Sequence, residues 1–223
     1  NDPKVLGAAF GTFIADPLDV IGFHTAFMVL TLVIVAGGVR HGIERAARIL
    51  MPILALLVIV LAVRAVTLDG AAKGIAFFLT PDFSKVTWNT VNAALGQAFF
   101  SLSLGMGTMI TYASYLNRQV NLPKTAAQVT LLDTGFAVIA GLMILPAVFA
   151  FGFDPAAGPG LTFITLPAVF AQMPAGALFS FLFFTLLAIA ALTSAVSIIE
   201  PVVSYLIDER GLSRRWATWG PGP

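Results

Sequence analysis

Five long apolar runs limit what this chain can fold into more than any other feature of the sequence. A helix of about 20 apolar residues crosses the ~30 Å hydrocarbon layer of a bilayer, and the runs that reach this length are Ile21–Val39, Ile49–Leu68, Trp88–Leu116, Ala126–Phe151 and Gly176–Ile207. Only 10% of the 223 residues are charged, so the chain lacks the polar shell that a soluble fold of this size needs. The sequence therefore predicts an all-α integral membrane protein with several spanning helices.

The distribution of lysine and arginine predicts the orientation of these helices. Alternate connections hold most of the basic residues, namely Arg40, Arg45, Arg48, Arg118, Lys124, Arg210, Arg214 and Arg215. The remaining basic residues are Lys4, Lys73, Lys85 and, at a helix end, Arg64. Cytoplasmic loops carry an excess of lysine and arginine. We therefore predict that residues 1–20, 69–87 and 152–175 form extracellular loops and that the basic connections lie in the cytoplasm.

Composition and motifs argue against several other classes of protein. A net charge of +1 provides no basic field for nucleic acid. Without cysteine there is no thiolate metal site or catalytic thiol, and two histidines cannot form a His-rich metal cluster. The sequence has no zinc-protease, nucleophile-elbow, Walker or dinucleotide motif. We expect neither an enzyme nor a nucleic-acid partner.

The third run carries the pattern of an interrupted helix. Near its middle, Ser101, Ser103, Gly105 and Gly107 fall within seven positions, where glycine lowers helix propensity and serine competes for backbone hydrogen bonds. A break at membrane depth survives only where its backbone groups line a cavity or bind something, as in transporters that bind ions and substrates at such joints. Close packing of small residues against a neighbouring helix is the alternative interpretation.

Polar side chains in the fourth and fifth runs are candidate ligands. An intramembrane carboxylate such as Asp133 is costly and indicates a functional role unless a structural partner satisfies it. Thr193, Ser194 and Ser197 place three hydroxyls in little more than one helical turn, and hydroxyl oxygens suit a hard cation, although such groups also bond to the preceding turn. Glu200 lies nearer the cytoplasmic end and could pair with a tyrosine (Tyr112 or Tyr115) or with an arginine.

Gly42 and Pro52 mark the cytoplasmic start of the second run. Proline removes a backbone hydrogen bond and kinks a helix or allows local unwinding. A fixed kink and a transient opening are both compatible with this pattern.

Four segments resemble the neurotransmitter:sodium symporter family. Residues 96–115 (GQAFFSLSLGMGTMITYASY) are similar to its sixth helix and residues 42–52 (GIERAARILMP) to its fifth. Residues 163–170 (FITLPAVF) resemble its fourth extracellular loop, and residues 192–201 (LTSAVSIIEP) its eighth helix. The resemblance covers roughly residues 23–215.

The resemblance implies a partial LeuT-fold transmembrane helix bundle with a discontinuous sixth helix. Helix four would occupy residues 21–39, and residues 40–68 a cytoplasmic loop and helix five. Helix six would occupy residues 88–116, residues 117–151 a cytoplasmic loop and helix seven, and residues 176–207 helix eight. Residues 208–223 would form a cytoplasmic loop and the start of helix nine, while residues 152–175 match extracellular loop four. Helices 1–3 and 9–12 of the same transporter would be partners, and we expect the segment to be inactive without them.

Site residues are carried over from the family position by position. The first sodium site would use Ser101 and Asp133, and the second would use the Ala190 carbonyl, Thr193 and Ser194. The substrate pocket would include Phe100, Ser101, Ser103, Met106, Ser194 and Ile198. Conformational or gating roles would fall on Gly42, Pro52, Phe100, Tyr115 and Glu200.

Departures from the family pattern lead to expectations about anion and substrate. Gln97 would lie near the chloride position of chloride-dependent members, Asp133 stands where many relatives have Asn, and Ala137 stands where animal members have Ser. A built-in carboxylate would replace the chloride charge, so we expect no chloride requirement. Met106 occupies a position that is often aromatic, and methionine adapts to bulky partners. We therefore expect a hydrophobic or aromatic amino acid as substrate.

The resemblance implies sodium-coupled amino-acid symport by alternating access, with two sodium ions moved in each cycle. The abundance of Ala and Gly favours a bacterial inner membrane as the location. A proton-coupled transporter of the same fold, an ion-conducting pore and a non-transporting scaffold or receptor are the alternatives.

Overall fold

The computed structural model describes residues 3–155, 158 and 160–220. Ten α-helices occur in these residues: α1 Pro3–Ala15, α2 Pro17–Ala36, α3 Glu44–Val66, α4 Ala71–Leu79, α5 Trp88–Ser101, α6 Thr108–Ser114, α7 Leu122–Ala150, α8 Leu166–Gln172, α9 Gly176–Arg210 and α10 Arg214–Trp219. Single π-helical turns precede α3 (Val39–Ile43) and α8 (Leu161–Thr165), and a 3-10 turn, Phe83–Lys85, precedes α5. The described residues contain no strand, and the chain has the all-α fold that its sequence predicts.

Among the described residues, four helical segments are long and apolar enough to cross a membrane. They are Pro17–Ala36, Val39–Val66, Leu122–Ala150 and Gly176–Arg210. The predicted run 88–116 is instead divided between α5 and α6, which are 14 and 7 residues long. Two observed helix ends also differ from the predicted runs. Helix α2 begins at Pro17 rather than at residue 21, and α9 extends to Arg210 rather than ending at residue 207.

Local sequence explains where the interrupted helix begins and stops. The hydroxyl of Thr87 accepts a hydrogen bond from the Thr90 amide, and the Thr90 side chain accepts one from the Thr87 amide. This reciprocal capping box satisfies amides that have no partner inside the helix. After Ser101, the backbone takes left-handed φ angles at Ser103 (53°), Gly105 (80°) and Gly107 (78°), which a right-handed helix cannot include. The predicted discontinuity is confirmed, and it occupies residues 102–107.

The chain divides into two compact units. The first unit comprises the described residues of Asn1–Met28, Leu50–Pro81 and Ala137–Ala190. Within it, α4 lies directly on α7, because a Cβ added to Gly74 would come 2.6 Å from the Cα of Pro146. Phe170 and Phe183 pack with ring centroids 5.4 Å apart and join α8 to α9.

The second unit comprises the described residues of Val29–Ile49, Asp82–Phe136 and Ala191–Pro223. Its core is built from buried apolar side chains of α2, α9 and α10, namely Val35, Val196, Val203 and Ala217, with Ile34, Ile43, Ile199, Leu206, Ile207 and Leu212 packed around them. This unit contains the interrupted helix and most of the candidate site residues.

Candidate functional site

Ser101 and Asp133 meet beside the break. Ser101 is the last residue of α5, and Asp133 lies in α7, 32 positions further along the chain. The Ser101 Oγ donates a hydrogen bond to Oδ2 of Asp133 over 2.7 Å. Asp133 is half-buried and Ser101 is exposed. The contact places a hydroxyl oxygen and a carboxylate next to backbone that has left the helix.

The break leaves backbone groups outside the helical ladder. The Leu104 amide turns back to donate to the carbonyl of Phe99 over 2.8 Å, and the Ser103 amide donates to that of Phe100 over 3.1 Å. Regular bonding resumes when the Thr111 amide donates to the Gly107 carbonyl over 2.9 Å. The bonds at Ser103 and Leu104 differ from the regular i→i−4 pattern of an α-helix, so these residues do not continue the helical ladder of α5.

The side chains predicted for the substrate pocket are mostly accessible. Phe100 is 70% exposed, Ile198 is 61% exposed and Met106 is 44% exposed, while Ser103 is half-buried. These three large apolar groups therefore have surface available for another apolar group. The adjacent Gln97 is also exposed.

The hydroxyls of α9 divide into two kinds. Ser197 is used within the protein: its Oγ donates to the Thr193 carbonyl over 3.0 Å and accepts from the Tyr112 hydroxyl over 3.1 Å. The Thr108 hydroxyl in α6 also donates to the Ser197 carbonyl, at 3.3 Å. Ser194 is exposed. Ser197 therefore bonds to the preceding turn, as the alternative interpretation predicts. Ser194 is the more available ligand of the two serines.

Glu200 is the centre of a charged network in the second unit. Its side chain is fully buried, Oε1 accepts a hydrogen bond from the Tyr115 hydroxyl over 2.7 Å, and Oε2 pairs with the Arg214 guanidinium at 2.5 Å. Arg214 Nε also donates to the Val35 carbonyl over 2.9 Å. The network thus connects α2, α6, α9 and α10. The sequence suggested a tyrosine or an arginine as the partner of Glu200, and the structure has one of each.

Sequence reasoning did not single out Arg214. The sequence marks this residue only as one of the basic residues of a cytoplasmic connection. A signal was present: the three-residue link Gly211–Ser213 between α9 and α10 is short enough to return Arg214 toward the end of α9. Such returns place neighbouring helix ends close together.

Gly42 lies at a very close approach of two backbone segments. It is buried within the π-helical turn Val39–Ile43, and a Cβ at this position would collide with the carbonyl oxygen of Ile34 and lie 3.0 Å from the carbonyl carbon of Gly37. Only glycine fits there. Pro52 lies inside α3 with its side chain exposed, so the two residues lie within the first four turns of one helical segment.

The chemistry of these groups fits a hard monovalent cation. In the part of the chain that the structure describes, no group of three or more His, Cys, Asp or Glu could hold a metal ion, which disfavours a transition-metal centre built from these residues. The hydroxyl of Ser101, the carboxylate of Asp133 and backbone carbonyls of the break instead offer the oxygen atoms that hard cations prefer as ligands.

These features define a class: a helical protein with apolar helices long enough to cross a membrane, and with an interrupted helix whose hydroxyl oxygens lie beside a carboxylate of one of them. Comparison with known families is consistent with that class. The model of the Sodium:neurotransmitter symporter family matches residues 18–218. The chain therefore belongs to the sodium:neurotransmitter symporter family.

Individual relatives agree with this assignment. The chain is 44% identical over 216 residues to the sodium-dependent transporter YhdH of Bacillus subtilis, covering 97% of this chain and 48% of YhdH. It is 39% identical over 216 residues to a sodium-dependent transporter of Methanocaldococcus jannaschii, covering 89% of this chain and 44% of the relative. The crystal structure of MhsT in complex with L-phenylalanine matches with a TM-score of 0.83 and 46% identity, over 96% of this chain and 49% of MhsT. The fold is thus the LeuT fold, and the chain spans about half the length of the curated relatives it matches.

Proposed function

We propose that this chain forms part of the working core of a sodium-coupled amino-acid symporter in the plasma membrane, with a bacterial inner membrane as its setting. The observation that carries the proposal is the 2.7 Å contact between Ser101 and Asp133 beside the break in the third apolar run. Family membership supports sodium as the coupling ion, since the relatives are named as sodium-dependent transporters.

Two sodium ions are the proposed coupling cargo. The first site uses the Ser101 hydroxyl and the Asp133 carboxylate. Because Asp133 brings its own negative charge into a low-dielectric region, it balances the cation as a bound chloride otherwise would, and we propose that chloride is not required. The second site uses the Ala190 carbonyl with Thr193 and Ser194. The exposure of Ser194 supports its availability for this role.

The proposed substrate is a hydrophobic or aromatic amino acid. Phe100, Met106 and Ile198 offer exposed apolar surface, and Ser101, Ser103 and Ser194 contribute hydroxyls that can accept or donate hydrogen bonds. Met106 adapts to side chains of different shape because its thioether chain is flexible. The complex of the related MhsT with L-phenylalanine supports this class of substrate.

Alternating access requires parts of the site to move. We propose that Phe100 covers the bound substrate, that Gly42 and Pro52 allow the start of the second spanning segment to unwind, and that Tyr115 and Glu200 hold the cytoplasmic side closed. Buried, fully bonded groups such as Glu200 favour a single arrangement as long as their partners stay in place. Sodium and substrate must stabilise a shared state, so each must raise the affinity of the other.

The test is binding of radiolabelled amino acid to the complete transporter that carries this sequence, titrated with sodium in chloride-free detergent buffer. A panel of phenylalanine, leucine, tryptophan, tyrosine and glycine defines the substrate class. We expect saturable binding that requires sodium and does not change when chloride is added. Asp133→Ala should weaken the sodium dependence at least tenfold, because an intramembrane charge that faces a cation contributes well over 1.4 kcal/mol.

Asp69→Ala is the matched control, since it removes an exposed carboxylate from a loop of the chain. An unchanged sodium curve for Asp133→Ala would contradict the role of this residue. Uptake that follows pH rather than sodium would favour the proton-coupled alternative with Asp133 as the carrier, and sodium flux without substrate would favour a pore.

A further inference from the structure

A basic crevice lies at the start of the second spanning segment and shares no lining residue with the proposed ion and substrate sites. It has a volume of about 460 Å³ and is lined by Arg40, His41, Glu44, Arg45, Arg48 and Ile49. All six residues belong to the π-helical turn or to the first turns of α3. We call this feature the basic crevice.

The crevice carries uncompensated positive charge. Arg48 pairs with Glu44 at 2.6 Å, one turn apart on α3. Arg40 and Arg45 have no carboxylate within salt-bridge distance among the described residues, and both are exposed. An open cleft with two unpaired guanidinium groups attracts anions, and arginine binds phosphate oxygens with paired hydrogen bonds.

The position of the crevice along the helix corresponds to the edge of the hydrocarbon layer. From Ile49 to Val63 the chain has no charged residue, and arginines flank this stretch at positions 48 and 64. At 1.5 Å per residue, the two flanking Cα atoms are about 24 Å apart, so both lie near the borders of a ~30 Å hydrocarbon layer. The surplus of Lys and Arg in this connection places the crevice on the cytoplasmic side.

We propose that the basic crevice binds the phosphate of an anionic phospholipid of the inner leaflet. Arg40 and Arg45 would hold the phosphate, while Ile49 provides an apolar wall where the lipid chains begin. The side chain one turn further along the same helix face supports a lipid over free phosphate, because Ile49 and Ile53 are 55% and 41% exposed. Apolar surface next to the site can contribute to the binding of a lipid, which has acyl chains, but not to the binding of a free anion.

Native mass spectrometry of the complete transporter tests this proposal. The protein is released from nanodiscs that contain equal parts of phosphatidylglycerol and phosphatidylcholine, and the retained lipids are counted. We expect wild-type protein to retain phosphatidylglycerol in preference to phosphatidylcholine. The double variant Arg40→Gln/Arg45→Gln should retain roughly tenfold less phosphatidylglycerol, because each basic residue near an anionic surface contributes severalfold to binding.

The matched control is Arg118→Gln/Lys124→Gln, which removes the same charge from a different cytoplasmic connection and leaves the crevice intact. It should retain phosphatidylglycerol as the wild type does. Equal losses in the two double variants would overturn the proposal, since they would show a response to net charge alone. Retention of both lipids in equal amounts by the wild type would overturn it as well.

Two further arms keep the test independent of any folding defect. In unaltered protein, phosphatidylglycerol retention should decrease as salt rises from 50 to 500 mM during exchange, since salt screens exposed charges. Inorganic phosphate at 10 mM should leave retention unchanged; displacement by it would show a phosphate site without a lipid requirement. Sodium-dependent amino-acid binding is followed in parallel, so failure of the lipid proposal and failure of the transport proposal remain distinct results.

Discussion

Glu200 shows how one side chain can hold several helix ends in place. A buried carboxylate is tolerated only when its charge is paired and its oxygens are bonded, and here Tyr115 and Arg214 satisfy one oxygen each. Arg214 completes the arrangement by bonding to the Val35 carbonyl. Lysine could not reproduce this arrangement, because it is a single point donor without the planar guanidinium fork.

Removing members of this network should have graded effects on stability. Glu200→Ala should lower the free energy of unfolding by about 3 kcal/mol, because it leaves the Arg214 guanidinium without its charged partner. Tyr115→Phe should cost about 1.5 kcal/mol, the value of a hydrogen bond to a charged acceptor. Thermal melting in detergent would measure both. Tyr205→Phe is the matched control at an exposed tyrosine; a loss there equal to that of Tyr115→Phe would contradict the assignment.

A second prediction at the scale of single residues concerns Gly42. Gly42→Ala should destabilise the protein by at least about 2 kcal/mol, because the added methyl group meets backbone atoms of Ile34 and Gly37 that cannot rotate away. Gly96→Ala is the control, since a Cβ at this helical position would meet nothing within 4 Å. A folded Gly42→Ala variant with unchanged melting temperature would show that the two segments can separate at no cost.

At the scale of elements, the break between α5 and α6 is where sequence reasoning succeeded best. Ser101, Ser103, Gly105 and Gly107 favour a break by local propensity, with close helix packing as the alternative, and the family resemblance implies the discontinuous helix. Propensity is a property of nearby residues, so the sequence carries this signal directly. The partners of Glu200 and the contact of Gly42 with Ile34 depend on which helices come together. Periodicity cannot supply that information, because it fixes which face is apolar but not which helix covers it. The observed helix ends differ from the predicted run boundaries by several residues for the same reason, because caps and neighbouring elements decide where a helix ends.

The break can be tested by restricting its backbone without changing its surroundings. Gly105 has φ of +80°, and a Cβ there would meet nothing within 4 Å. Gly105→Ala should therefore cost about 1 kcal/mol through backbone strain alone and should weaken sodium-dependent amino-acid binding. Gly135→Ala in α7 also meets nothing within 4 Å, but its helical position should make the change neutral or stabilising by up to about 1 kcal/mol. Similar effects at the two positions would argue against a strained joint.

At the scale of the whole molecule, the orientation in the membrane is predicted from the basic residues of the connecting loops. Single cysteines introduced by Ser84→Cys and Arg118→Cys, in a transporter free of other cysteines, should label from opposite sides of the membrane. An impermeant maleimide should modify the first in intact cells and the second only after permeabilisation. The opposite pattern would overturn the orientation and, with it, the inner-leaflet position of the basic crevice. Both residues are exposed, so accessibility does not limit the reaction.

The length of α9 has a consequence for the membrane itself. Its stretch without charged residues runs from Gly176 to Ile199 and is about 36 Å long at 1.5 Å per residue. That stretch is longer than a typical hydrocarbon core by about 6 Å. Such hydrophobic mismatch is relieved when a helix tilts or when the lipids around it thicken, at a modest cost per ångström. We therefore expect α9 to tilt or to thicken the lipids around it, which the charge-free stretch of α3, about 24 Å long, does not require.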